Sequence, residues 1–389
     1  MEIHIMAVDS DTLNHLIETV RRFVENRLIP LEAQVAEDDC IPDDVISEMR
    51  ELGLFGLTIP EAYGGLGLNT EEECQVILEI GYTSPAFRSI IGTNNGIGSQ
   101  GLVMDGTEEQ KRHYLPKLAT GEIIGSFALT EPDAGSDSAA VQTRAVKDGD
   151  DYVLNGTKRY ITNANCAQLF TVFARTDQNE AGSRGVSAFL VDADSPGISL
   201  SKPYKKMGQQ GAHVCDVIFE DCRVPEANII GGPDKLHLGF QTAMKTLDRG
   251  RIHISALAVG CAKRLIDLSL SYSIERKQFG KPIADFQLVQ AMLADSQAEC
   301  YAAKCMVLDA ARRRDNGESV KMIASCCKLF ATEMVGRVAD RAVQIHGGAG
   351  YIEEYAVSRF YRDVRLLRIY EGTSQIQQTI IARDLIRQA

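Results

Sequence analysis

From Asp9 to about Gly121 the apolar positions recur at helical spacing. Leu13, Ile17, Val20, Phe23 and Val24 follow one another mostly at intervals of three and four, which places them on one face of an α-helix. Asp9 or Ser10 stands where a capping side chain is needed. A second short helix is expected over 42–52, stopping at Gly53, and the stretch Ile59-Pro60-Glu61-Ala62-Tyr63-Gly64-Gly65 reads as a loop. Helical periodicity resumes after Thr70. From about Gly125 to Gly232 the pattern changes to short apolar, β-branched and aromatic runs at 152–154, 169–174, 186–191 and 214–219. Asp148-Gly149 and Asn155-Gly156 read as hairpin dipeptides. Strands with no helices between them predict a small antiparallel barrel or sandwich. Beyond about Leu236 long helical spans return at 239–275, 285–315 and 319–346, with a shorter one ending near Ala389. Short turns between them predict an antiparallel four-helix bundle.

The fold class is therefore multidomain α+β. An N-terminal helical domain is expected over 1–124, a middle β domain over 125–235 and a helical bundle over 236–389. A length of 389 residues accommodates three such units.

Charge and composition narrow the function classes. Lys and Arg number 41 against 53 Asp and Glu, so the net charge is −12. Such a chain is a poor partner for nucleic acid or an anionic membrane surface. No apolar run approaches the roughly 18–20 residues of a membrane span. The N-terminus carries Glu2, Asp9 and Asp11 and lacks a basic start followed by an apolar stretch, so no leader is expected. The ten cysteines form no CxxC pair and are read as reduced and mostly buried. The seven histidines do not cluster, and no metal site is expected.

Five stretches carry more chemistry than connectors need. FALTEPDAGSD at 127–137 ends a strand in a loop whose hydroxyls and backbone N–H groups can hold a polar, planar ligand. KRYITNAN at 158–165, as a strand, places Tyr160 and Thr162 on one face. ERKQFG at 275–280 joins two long helices, and QIHGGAGY at 344–351 has three glycines in four positions, which lets backbone approach a ligand closely. YEGTSQIQ at 370–377 puts a carboxylate and a glycine before the last helix. Taken singly, each has a plain structural reading as a turn, a half-exposed strand, an interhelical loop or a helix cap.

Together, from PEAYGG at 60–65 to YEGTSQIQ at 370–377, these motifs resemble the acyl-CoA dehydrogenase family in order and spacing. The resemblance implies FAD as cofactor, an acyl-CoA substrate and a 2,3-enoyl-CoA product. A carboxylate removes the α-proton while a hydride leaves Cβ for flavin N5. Glu371 matches that base, and its backbone N–H matches a donor to the thioester oxygen beside the flavin ribityl hydroxyl. Desolvation should raise the carboxylate's pKa. Some family members carry the base at the position of Gly250, which here cannot accept a proton. Arg251 matches an arginine near the carboxylate.

By the same resemblance Phe127, Leu129, Thr130 and Ser136 contact the flavin, Tyr160 and Thr162 flank its ring, and Thr373 and Gln375 hold the nucleotide portion. Arg276, Gln278, Phe279, Gln287, Gln344, Gly347 and Gly348 match residues that reach FAD from a neighbouring subunit, which implies a homodimer or homotetramer. Ser136, Arg251, Gly372 and Arg88 are the candidate substrate contacts. Phe87-Arg88-Ser89 resembles a segment of glutaryl-CoA dehydrogenases whose arginine binds the distal carboxylate; otherwise Arg88 pairs with a structural acid or faces solvent. The expected electron acceptor is an electron-transfer flavoprotein, and the expected setting is fatty-acid β-oxidation in a bacterial cytoplasm, with the mitochondrial matrix as the alternative. Two competing readings are an acyl-CoA oxidase and a non-catalytic relative that uses the scaffold for binding.

Overall fold

Helix α1 (Ser10–Phe23) begins where the Asp9 carboxylate accepts the backbone N–H groups of Asp11 and Thr12 at 3.1 and 3.0 Å. The computed structural model describes residues 8–389, so most of the segment read for a leader, including Glu2, lies outside the described residues. A π turn (Val24–Leu28) carries α1 into α2 (Ile29–Asp38), which stops at Asp39 in the left-handed region, φ 47°. Helix α3 (Asp43–Glu51) ends just before Gly53, φ 69°. Reciprocal capping boxes open α4 (Thr70–Ile80) through Asn69 and Glu72 and α7 (Glu108–Thr120) through Thr107 and Gln110. Between them lie α5 (Pro85–Asn95) and α6 (Gln100–Asp105). Every residue of α5 is buried. A helix covered on all sides needs no polar face, so its period is hard to see in sequence.

The middle segment forms one curled seven-stranded sheet. Its strands are β1 (Gly125–Ala128), β2 (Arg144–Asp148), β3 (Asp151–Thr162), β4 (Leu169–Arg175), β5 (Val186–Asp192), β6 (Ile198–Leu200) and β7 (Val214–Pro225). The spatial order is β1-β4-β2-β3-β7-β6, with β5 also on β4. Strand β1 pairs with β4 in parallel, and β2 touches β4 in parallel, so the sheet is mixed rather than purely antiparallel. Side-chain alternation is the same in both directions, which is why the sequence did not show it.

Asp148-Gly149 makes the β2–β3 hairpin as expected, but Asn155-Gly156 does not turn the chain. It lies inside β3 as a bulge, with a register shift against β7 between Leu154 and Gly156. Gly156 has φ 151°, and a Cβ there would meet Thr143 Oγ1 at 2.6 Å. The glycine serves close backbone packing, and the Asn155 amide donates to Asp221 at 3.0 Å instead of making a turn.

Helix α8 (Gly239–Glu275) is followed by the small hairpin β8 (Lys277–Gln278) and β9 (Lys281–Pro282), then α9 (Gln287–Asp315) and α10 (Lys321–His346). Helices α11 (Ala356–Asp363) and α12 (Ser374–Gln388) complete the chain. Helices α8, α9, α10 and α12 pack as the bundle. Its core is continuous with that of the N-terminal helices: Val20, Ile77, Leu257, Leu265 and Val335 belong to one buried cluster. The sheet has a core of its own around Phe170, Phe189 and Phe219. All ten cysteines are free thiols, six of them buried. Among the described residues no helix is long and apolar enough to cross a membrane.

Candidate active site

A cavity opens where α5, the ends of β1 and β3, α8 and the start of α12 converge. Its sheet-side wall carries the rings of Phe127 and Tyr160 with Leu129, Thr130, Ser136 and Thr162. Strand β3 bulges between Lys158 and Ile161, and Tyr160 takes φ 57° there. A buried ion pair anchors this wall from behind. Lys158 Nζ donates to Glu131 Oε1 at 2.7 Å and to the Leu129 carbonyl at 3.2 Å. Glu131 also accepts the backbone N–H groups of Gln142 and Thr143 at 2.6 and 2.9 Å. Burial pushes the Glu131 pKa up, but Lys158 and these donors outweigh it and hold the carboxyl below its ordinary range.

The same cavity is lined by Glu371, in the turn before α12. It has φ 55° and Gly372 has φ 88°, two consecutive left-handed residues of which the first is not glycine. Such a residue costs of order 1–3 kcal/mol and persists only when its surroundings hold it. Lys328 Nζ donates to the Gly372 carbonyl at 2.7 Å, and Gln377 Nε2 donates to the carbonyls of Glu371 and Gly372 at 3.1 and 3.0 Å. The Thr373 hydroxyl caps α12 by accepting from Ile376 N–H at 3.3 Å. The turn is thus fixed from three sides.

Glu371 Oε2 is buried with no hydrogen-bond partner among the described residues. Burial raises the pKa of this carboxyl, against the nearby positive charges of Arg88, Arg251 and Lys328. Burial likewise lowers Lys328 to about 8, with Glu371 opposing. Arg251 pairs with Asp248 one helical turn earlier and leaves its Nε without a partner. Gly250 faces the carboxylate directly: a Cβ at that position would stand 2.5 Å from Glu371 Oε2. A side chain at position 250 would therefore displace the carboxylate.

The sheet-side wall suits a planar heteroaromatic ligand with polar edges. It offers two rings and four hydroxyls, and a Cβ added at Gly135 would touch nothing within 4 Å. The cavity brings together Phe127, Leu129, Thr130, Ser136, Tyr160 and Thr162 with Arg88, Arg251, Glu371 and Gly372. Thr373 and Gln375 lie just beyond it at the start of α12, Gln375 exposed. Arg276, Gln278 and Phe279 sit exposed around the β8–β9 hairpin, Gln287 opens α9, and Gln344, Gly347 and Gly348 end α10. These seven do not line the cavity of their own chain.

Arg88 projects from α5 into the cavity and donates from Nε to His253 Nε2 at 2.7 Å. No acidic group among the described residues forms an ion pair with it. Its side-chain contact is instead the ring of His253. Sequence reading missed Lys158, Lys328, Glu73 and His253. The available signal was a charged residue at an inward position, as with Lys158, which shares strand parity with the buried Tyr152 and Leu154. Among the described residues no group of three or more metal-ligating side chains is present.

Sequence models of three consecutive domains match the chain: the acyl-CoA dehydrogenase N-terminal domain at residues 10–122, the middle domain at 126–222 and the C-terminal domain at 237–386. The "Probable acyl-CoA dehydrogenase YngJ" of Bacillus subtilis is 44% identical over 370 residues, 95% of this chain and 97% of that one. The "Caffeyl-CoA reductase-Etf complex subunit CarC" of Acetobacterium woodii is 41% identical, covering 96% of this chain and 98% of that one. The structure of butyryl-CoA dehydrogenase from Megasphaera elsdenii superposes with a TM-score of 0.93 at 34% identity, covering 98% of this chain and 100% of that one. Three matched domains in order, around a cavity that the Glu371 carboxylate shares with rings and hydroxyls, place this chain in the acyl-CoA dehydrogenase family of flavin-dependent oxidoreductases.

Proposed function

We propose that the protein is an FAD-dependent acyl-CoA dehydrogenase that forms a 2,3-enoyl-CoA. The observation that carries this reading is the Glu371 carboxylate, which shares a cavity with Phe127, Thr130 and Tyr160 and has no hydrogen-bond partner at Oε2 among the described residues. FAD, held along the sheet-side wall, supplies the acceptor for the hydride that leaves Cβ. Glu371 takes the α-proton on its carboxylate. Its raised pKa makes it a stronger base than a solvated carboxylate, and the cations Arg88, Arg251 and Lys328 keep the ionised form accessible. The Glu371 backbone N–H donates to the thioester oxygen and stabilises the developing enolate, a contribution of roughly 3–4 kcal/mol per donor in comparable sites. Met244, Leu247, Ile376 and Ile380 supply the apolar lining that excludes water.

Electrons pass to an electron-transfer flavoprotein, a reading supported by the named Etf complex of the Acetobacterium relative. An oxidase would instead consume O₂ with each turnover. Exposed Phe279, Leu288 and Tyr351 support self-association into a homodimer or homotetramer that brings Arg276, Gln278 and the Gly347–Gly348 turn to a neighbour's FAD. A role in fatty-acid β-oxidation in a bacterial cytoplasm fits this chemistry.

A second reading, favoured by Arg88, is a substrate with a distal carboxylate. A guanidinium that enters the substrate cavity without an acid partner can bind such a group end-on through two hydrogen bonds. Both readings meet one experiment, an anaerobic titration of the purified holoprotein with butyryl-, octanoyl-, palmitoyl- and glutaryl-CoA. Bleaching of the oxidised flavin band by one of them is expected, and selective bleaching by glutaryl-CoA would establish the carboxylated class. A protein that cannot be loaded with FAD, or that holds FAD no thioester reduces, would overturn the reading.

A further inference from the structure

Lys328, on α10, is fully buried, and a lone ammonium in such a place is costly unless a partner compensates it. Its hydrogen bond goes to no acid but to the neutral carbonyl of Gly372, at 2.7 Å. That carbonyl belongs to the turn in which Glu371 and Gly372 stand in the left-handed region, at φ 55° and 88°. Gln377 Nε2 donates to the same carbonyl at 3.0 Å and to that of Glu371 at 3.1 Å. Two side chains therefore hold the strained turn, one a cation and one a neutral amide. A bond from a charged donor is roughly twice as strong as a neutral one, and only the ammonium can lose its charge.

Few charges surround it. Glu371 faces Lys328 from the turn, Arg251 from α8 and Glu333 from its own helix, while α9 and α11 present no charged group to it among the described residues. Two of the three are engaged elsewhere. Arg251 pairs with Asp248, and Glu333 accepts from the Ser374 hydroxyl at 2.6 Å and from Arg368 Nη1 at 3.3 Å. Lys328 thus bears on both properties that a base at Glu371 needs. It fixes the backbone that carries the carboxylate. Against the burial that raises the Glu371 pKa, it also joins Arg88 and Arg251 in favouring the ionised form.

We propose that Lys328 is a positioning residue whose protonated ammonium holds Glu371 in its working geometry, so that loss of this one proton slows the reaction at alkaline pH. This rests on the dehydrogenase reading above. Burial lowers Lys328 to about 8 against the pull of Glu371. Above that value a neutral amine is left at the Gly372 carbonyl, while Gln377 keeps its bonds at every pH. The rate should therefore fall through a limb near pH 8 and level off rather than vanish.

The test uses the FAD-loaded enzyme and whichever of butyryl-, octanoyl-, palmitoyl- and glutaryl-CoA reduces the wild-type flavin. Anaerobic stopped-flow gives the rate of flavin reduction at saturating thioester from mildly acid to alkaline pH. Lys328→Arg carries a charge that does not titrate in this range, so the alkaline limb should disappear while the acid limb of Glu371 stays in place. Lys328→Met removes both the bond and the charge, and serves if the larger arginine does not fold. Its rate should fall by up to about a hundred-fold, the scale of a small misplacement, with KM nearly unchanged. The alkaline limb should be gone and the acid limb should move to higher pH, because a cation beside the carboxylate has been lost.

An alkaline limb that persists in either variant would overturn the proposal, as would a wild-type rate that stays flat through pH 8. A methionine variant that is slower with both limbs unmoved would also overturn it, since a purely structural loss moves neither. In each of those cases the dehydrogenase reading stands. Failure of every thioester to reduce the wild-type flavin would overturn the dehydrogenase reading and this proposal with it.

Discussion

Replacing Glu371 by Gln is expected to lower kcat by about 10²–10⁴-fold for every thioester that the protein oxidises, the usual weight of a positioned base. The variant should still take up FAD and bind acyl-CoA, because the amide keeps the size of the side chain and the turn is held by Lys328 and Gln377 rather than by the carboxylate. Near-normal turnover would remove Glu371 from the base role. The pH dependence follows from the same burial. The working form is the carboxylate, so kcat/KM should rise with pH through a value above the ordinary 4.5, and that limb should vanish in the variant.

Stability should move the opposite way. Between the ordinary pKa and its raised native value the folded state binds the extra proton, so stability falls as pH climbs through that window and stays lower above it. Glu371→Gln removes the penalty. The variant is therefore expected to be more stable than the wild-type protein at neutral pH and no more stable well below pH 4.5. Denaturation midpoints at two pH values measure this. A site that trades stability for a reactive carboxylate should show both effects together.

How much of this was legible in the letters depends on the range of the signal. Helix α8 was readable at both ends because 37 residues without a proline end in a charged loop. The capped starts of α1 and α12 were readable because capping is a property of a few adjacent residues. Asn155-Gly156 misled because the same dipeptide serves a turn or a bulge, and the choice is made by Thr143 and Asp221 on other strands. Glu371 could be proposed as the base only through a whole-chain resemblance, since nothing within YEGTSQIQ shows that the carboxylate will pack against Gly250. Arg88 was visible as a residue, but its isolation from acids depends on His253, 165 positions away. Long-range polar pairings of this kind have no local signature.

The Lys158–Glu131 pair gives the second large effect. Lys158 is wholly buried, and burial lowers its pKa to about 8 while Glu131 opposes the shift. Lys158→Met keeps the length of the side chain but strands the Glu131 carboxylate in the sheet with only backbone N–H donors. Breaking one side of a buried pair costs about 3–5 kcal/mol. The loss falls on the loops that shape the proposed flavin wall, because the lysine also ties down the Leu129 carbonyl and Glu131 holds Gln142 and Thr143. We therefore expect urea denaturation at a clearly lower midpoint, together with weaker retention of FAD on gel filtration. Adding Glu131→Gln to the variant removes the stranded charge, and a glutamine can still accept one of the two backbone N–H groups. The double variant should recover a large part of the lost stability but less of the FAD retention, because nothing replaces the ammonium at Leu129. A double variant as unstable as the single one would show that the lysine acts through packing alone, and equal recovery of both properties would separate the ion pair from the flavin wall.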